Sequence, residues 1–165
     1  DNKLINNKSI FIKKYKSLLI ILFIFICFQI SYGAFVSGTH SGLLYNTWPL
    51  YNGNILPFIE NTQMRWIINF FENGEYIIFI HRTFAMIILF LLLYLNYSII
   101  MNKRINSYYP VIIFFNITFI LQIILGVSMT YLNIPWHLAL LHQGNSILVF
   151  LLSLFMYQLS LKSPQ

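Results

Sequence analysis

The chain is short of charge. Of its 165 residues only 8% are Asp, Glu, Lys or Arg, while 58% are hydrophobic. A soluble domain carries about 25% charged residues, so this chain lacks the polar surface to stay in water. Cysteine is nearly missing too. Cys27 is the only one, and it lies in an apolar run. An intrachain disulfide is excluded, the redox compartment cannot be read from cysteines, and such a thiol reads as a small apolar residue. No internal repeat stands out along the chain. The net charge of +6 does not point to nucleic acid, because Lys3, Lys8, Lys13, Lys14 and Lys16 crowd the first residues. They read as a juxtamembrane anchor in a basic segment, residues 1–17.

What fills the chain is long apolar runs. Several reach the roughly 20 residues needed to cross a bilayer. They are too long and too unalternating for barrel strands, so the spans are helical. Four are expected, at about 18–38, 76–101, 109–133 and 135–160, followed by a short tail at 161–165. The predicted fold is all-α: an integral membrane, antiparallel four-helix transmembrane bundle (18–160) with a long outer loop at 39–75. The basic start followed by "SLLIILFIFICFQISYGA" also has the look of a secretory signal. The length of that run and the small residues continuing past it favour a packed span. Asp1 in place of an initiator methionine fits a processed product or a fragment.

Lysine and arginine set the direction. The N-terminal lysines, Lys103, Arg104 and Lys162 fall on one side, and Arg65 stands alone on the other beside Glu60, Glu72 and Glu75. The positive-inside rule puts both termini in the cytoplasm, or in the matrix of a mitochondrion. In the outer loop, Asn46, Pro49, Asn52, Gly53, Asn54 and Pro57 are turn residues. Trp66, Ile67, Phe70 and Phe71 suit a short interfacial helix.

Four histidines, His40, His81, His137 and His142, then fall in the outer half. His40 and His137 lie near water. His81 and His142 lie about 8 Å and about 10 Å below the outer surface, at 1.5 Å per residue. Ionisable residues inside spans are rare and usually face a partner or a cofactor. Two neutral imidazoles at one depth on different helices can ligate the iron of a planar metallocycle from both sides. Either could instead simply hydrogen-bond a neighbouring helix. Small residues nearby, Ala85, Gly144, Asn145 and Ser146, leave room for a flat ligand. Gly33, Gly38 and Gly42 form a small-residue stripe, and Gln122 with Gly126 forms a small polar strip. Arg82 can meet a propionate or pair with Glu72 or Glu75.

Three stretches together resemble the haem A synthase family: "GAFVSGTHSGLLYNTWPLYNGNILP" (33–57), "NFFENGEYIIFIHR" (69–82) and "LQIILGVSMTYLNIPWHLALLHQGNSILVF" (121–150). Members of that family oxidise a methyl group of haem O to the formyl group of haem A, and look like two four-helix bundles in one chain. The resemblance implies that this chain is the C-terminal bundle. It would hold haem b through His81 and His142 as axial iron ligands, with Arg82 as a candidate propionate contact. Its implied partners are the lipid bilayer, an N-terminal half carrying substrate haem O, and an unidentified electron donor. No catalytic residue is expected in this half, which alone should not complete the reaction. The implied membrane is the bacterial cytoplasmic membrane or the mitochondrial inner membrane. His40 departs from the family pattern and is not carried over as a ligand. A plain b-type cytochrome, or a scaffold with histidines as helix glue, is the alternative.

Overall fold

A computed structural model of the chain describes residues 15–57, 66–101 and 109–161. Most of the residues that set the expected direction lie outside these: Lys3, Lys8, Lys13, Lys14, Lys103, Arg104, Lys162, Arg65 and Glu60. Among the described residues the regular structure is helical: α1 (Lys16–Gly38), a 3₁₀ turn (Ser41–Leu43), α2 (Trp66–Glu72), α3 (Gly74–Met101), α4 (Tyr109–Tyr131) and α5 (Trp136–Leu161). Four of these, α1, α3, α4 and α5, are long and apolar enough to cross a membrane. The chain is an all-helical integral membrane protein.

Local chemistry explains the helix ends. Asn73 caps α3: its Oδ1 accepts from the backbone N–H of Glu75 (3.0 Å) and of Tyr76 (3.3 Å). This satisfies two donors that the first turn leaves open. Glu75 adds a negative charge at the positive end of the helix. At the end of α4, Asn133 (φ 56°) and Ile134 (φ 55°) both turn left-handed. The N–H of Ile134 reaches back to the carbonyl of Met129 at 2.9 Å, closing the helix in the manner of a Schellman cap. Pro135 follows, and its carbonyl accepts from Ala139 to start α5.

α1 packs on α3 and on α5, and α4 packs on α5. One apolar core draws on all four long helices: Leu22 and Ile26, Ile88 and Leu95, Phe115 and Phe119, Val149 and Met156. The outward faces carry Phe90, Tyr94, Ile117, Ile124, Leu140 and Leu151, all exposed. Such a surface is stable only against lipid. Lipid tails are as apolar as leucine, so close packing and polar pairs between helices hold them to each other. One such pair joins α3 to α4. Asn96 and Asn116 exchange amide hydrogen bonds of 3.0 Å and 2.9 Å.

A correspondence runs through the core. In the second half of α3 Ile88, Leu92, Leu95 and Ile99 are buried; in the second half of α5, Val149, Ser153, Met156 and Ser160 repeat that spacing. Each series begins about two helical turns after a histidine, His81 on α3 and His142 on α5. Leu22 and Ile26 on α1 are matched in the same way by Phe115 and Phe119 on α4.

A second apolar cluster joins the loop to the last turns of α1 and the first turns of α3, where Tyr45, Tyr51 and Ile78 are buried against Val36 and Phe79. The loop segment that forms it is built by turn chemistry. Tyr51 and Asn54 pair through both backbone bonds (2.8 and 3.1 Å). Between them Asn52 (φ 49°) and Gly53 (φ 91°) take the positive φ values of a type I′ turn. Thr47 Oγ1 accepts from the N–H of Asn52 and donates to the carbonyl of Leu50, both at 2.8 Å. The short helix α2 leaves Ile67 and Phe71 exposed and buries Asn69.

Candidate functional site

A polar layer separates the main core from the loop cluster. On α1 the order is Ile26 in the core, Gln29, Gly33, then Val36 in the loop cluster. On α3 it is Ile78 in the loop cluster, His81 and Arg82, then Ile88 in the core. On α4 and α5 the layer holds Gln122, Gly126, His142 and Asn145, with Phe119 and Val149 in the core beside it.

The two histidines have matching surroundings. His81 on α3 meets α1, with the side-chain amide nitrogen of Gln29 3.3 Å from its Nε2. One turn along, a Cβ built on Gly33 would stand 3.4 Å from the ring's Cε1. His142 on α5 meets α4 through the same arrangement. Gln122 offers its amide nitrogen to Nε2 at 3.2 Å, and a Cβ on Gly126 would stand 3.1 Å from Cε1. A Gln-Ile-x-x-Gly stretch thus serves each histidine, at Gln29–Gly33 and at Gln122–Gly126. The glutamine occupies the outer ring nitrogen and the glycine lets the helix backbone approach the ring. The Nδ1 atoms of both rings are buried with no hydrogen-bond partner.

Arg82 turns away from the acidic residues toward the loop. Its Nη2 donates to the carbonyl of Tyr45 at 3.3 Å, and its guanidinium lies 4.8 Å from the centroid of the Tyr51 ring. Its Nη1 is buried without a partner. Glu75 instead accepts from the Tyr45 hydroxyl at 3.2 Å. Pairing of Arg82 with Glu72 or Glu75, one of the two roles the sequence left open for it, is not formed. Burial pushes the Tyr51 hydroxyl above the ordinary phenol range, and the Arg82 charge opposes that rise. The ring therefore faces the guanidinium as a neutral π surface at physiological pH. The hydroxyl of Tyr131 donates to the carbonyl of Trp48 at 2.7 Å, tying the same loop to the end of α4.

His40 and His137 are exposed and stand apart from this layer. His40 takes a left-handed conformation before the 3₁₀ turn, and His137 lies edge-on to Trp136. Gly144 is also exposed, and a Cβ there would meet nothing within 4 Å. It lines a shallow outward groove of about 330 Å³ with Leu140 and Leu141. The room beside the rings comes from Gly33 and Gly126 on the facing helices, and Gly144 does not supply it. Asn145 is a buried hydrogen-bonding residue, donating to the carbonyl of Thr118 (2.9 Å) and to Gln122 Oε1 (2.7 Å). Its role, and that of Gln29, is not evident from the sequence read one helix at a time. The repeated Gln-Ile-x-x-Gly was the available signal.

Among the described residues no three His, Cys, Asp or Glu side chains gather to hold a metal ion. The donor set is two imidazoles, which suits a metal whose other ligands come from a macrocycle.

Residues 6–154 match the COX15-CtaA family, described as cytochrome oxidase assembly protein. The chain belongs to the haem A synthase family. It is 42% identical over 134 residues to the haem A synthase of Wolbachia sp. subsp. Brugia malayi, covering 79% of this chain and 37% of that protein. It is 40% identical over 139 residues to that of Wolbachia pipientis wMel, covering 82% and 37%. With the Rhizobium rhizogenes haem A synthase it shares 36% identity over 126 residues, covering 74% and 34%. The chain thus spans little more than a third of the length of the curated relatives it matches. No solved structure matches it.

Proposed function

We propose that this chain is the C-terminal, haem b-holding half of a haem A synthase, the enzyme that oxidises a methyl group of haem O to the formyl group of haem A for cytochrome oxidase. The supporting observation is the pair of inward-set histidines, His81 and His142. Each has a buried Nδ1 with no partner and a glutamine amide at Nε2. The donors fit the group. Neutral imidazoles offer lone pairs without burying charge, and the glycines at Gly33 and Gly126 let the helices close around the rings.

In this reading His81 and His142 would hold the haem iron. Bound there, haem b supplies one-electron redox chemistry, which suits passing electrons to or from a substrate haem in an N-terminal half. The rest of the work belongs to the chain. Gln29 and Gln122 satisfy Nε2 of each ring until a ligand takes their place. Arg82, with Nη1 unpartnered, is a ready donor for a propionate. The loop around Tyr45 and Tyr51 covers the outer end and keeps water from the layer. Residues 18–160 act as one antiparallel bundle between the basic segment 1–17 and the tail 161–165, with both termini on the cytoplasmic or matrix side.

The experiment is reconstitution. Co-expressed with a haem A synthase N-terminal half, in cells that make haem O, the chain should yield haem A in extracted pigments. Either half alone should yield none. Haem b bound without any haem A formed in the reconstituted pair would favour a plain b-type cytochrome instead.

A further inference from the structure

The two histidine sites match in outline but differ in one respect. At His142 the direction of every hydrogen bond is forced. The Thr118 carbonyl can only accept, so the Asn145 atom 2.9 Å from it is the amide nitrogen. That NH₂ has a second hydrogen, which it gives to Gln122 at 2.7 Å, so the Gln122 atom there is the amide oxygen. The Gln122 NH₂ must then face His142, 3.2 Å from Nε2. A donor facing a ring nitrogen needs a lone pair there. Nε2 is therefore unprotonated, and the ring proton sits on Nδ1.

The other tautomer sets Nε2–H against the Gln122 NH₂, donor against donor, and still leaves Nδ1 without a partner. It loses a hydrogen bond and gains nothing. The Nδ1–H tautomer leaves only Nδ1–H unmatched, whereas the other leaves both Nε2–H and the Gln122 N–H that faces it unmatched.

At His81 nothing forces the choice. Gln29 Oε1 is buried without a partner, so no second residue holds the amide one way round. Turned over, it would accept from Nε2–H as readily as it now donates to a bare Nε2.

We infer that Thr118, Asn145 and Gln122 form a relay that holds His142 in the Nδ1–H tautomer, with the Nε2 lone pair ready for a metal, while His81 has no such relay. Asn145 is a positioning residue acting through Gln122. The inference deepens the haem-ligand reading and rests on it for its purpose, but the tautomer itself exists without haem. His142 is then the preset ligand and His81 the adaptable one, which takes its tautomer as the metal arrives.

The test uses the whole chain in detergent, free of haem and labelled with ¹⁵N-histidine, with each ring's signals assigned by their loss on substitution. In the wild type, His142 should show a bare, pyridine-type Nε2 and a protonated, pyrrole-type Nδ1. Gln122→Glu replaces the donor by an acceptor and should move the proton onto Nε2. Asn145→Leu frees Gln122 to turn over and should give a mixture of tautomers. His81 signals should be unchanged in both, which shows that each variant is folded. A wild-type His142 protonated at Nε2 overturns the relay. So does an unchanged His142 pattern in either folded variant. Haem b added to the wild type tests the ligand reading separately, since its failure to bind would leave the tautomer result standing.

Discussion

A Cβ placed on Gly126 would stand 3.1 Å from Cε1 of His142, whereas one on Gly33 would stand 3.4 Å from Cε1 of His81. The small difference decides two substitutions. The Gly33→Ala methyl meets its ring at ordinary van der Waals distance. The gain from replacing a helical glycine, about 0.5–1 kcal/mol, should offset any strain. Gly126→Ala must push the His142 ring by a few tenths of an ångström away from its place against Gln122, which Asn145 holds in turn. Haem occupancy, measured as pyridine haemochrome per chain, should be near wild type for Gly33→Ala and several-fold lower for Gly126→Ala.

The Asn96–Asn116 pair gives a stability prediction remote from the site. Either single change to Leu removes both bonds of the pair and leaves the other amide's oxygen without its partner, although Asn96, where it remains, keeps its bond to the Leu92 carbonyl. Each should cost about 1–2 kcal/mol. The double change to Leu removes both amides and should recover part of that loss. Unfolding in mixed detergent–SDS micelles measures all three. Haem occupancy should not move, because Asn96 lies about 22 Å along α3 from His81 at the helical rise.

Arg82 and Tyr51 hold the loop to α3, and the contact should be worth about 1 kcal/mol. Arg82→Gln and Tyr51→Leu should each speed hydrogen exchange through residues 45–54. Each change also loses contacts of its own, Arg82 its bond to the Tyr45 carbonyl and Tyr51 its ring contacts with Tyr45 and Phe79, so the double change should exceed either single change but fall short of their sum. Additive effects would mean that the two side chains act on the loop independently.

Much of the fold was legible because lipid imposes a simple demand. Every backbone group must bond within its own segment, so four long apolar runs can only be four helices. Pro135 marks a helix start by chemistry that reads directly from the chain, whereas the Asn73 cap, which starts α3 ahead of the apolar run, comes from the structure. The loop turn at Asn52–Gly53 is legible for the same reason, since few residues accept its positive φ values. The site was legible only in part. His81 and His142 stand out because a ring nitrogen is rare in an apolar run. Gln29 and Asn145 do not, since their meaning depends on which helix they face. Arg82 shows the same limit. The sequence offers it Glu75 at the helix mouth, but the loop brings a carbonyl and an aromatic face closer, and Glu75 goes to Tyr45.

The central claim, that His81 and His142 together hold one haem b, is tested most directly by the reduced-minus-oxidised spectrum of the purified chain, with pyridine haemochrome stoichiometry. The wild type and the exposed-site control His137→Ala should each carry one haem b per chain, and His81→Ala and His142→Ala should each lose it. Full occupancy in both of the latter variants, or no haem in the wild type, would contradict the account.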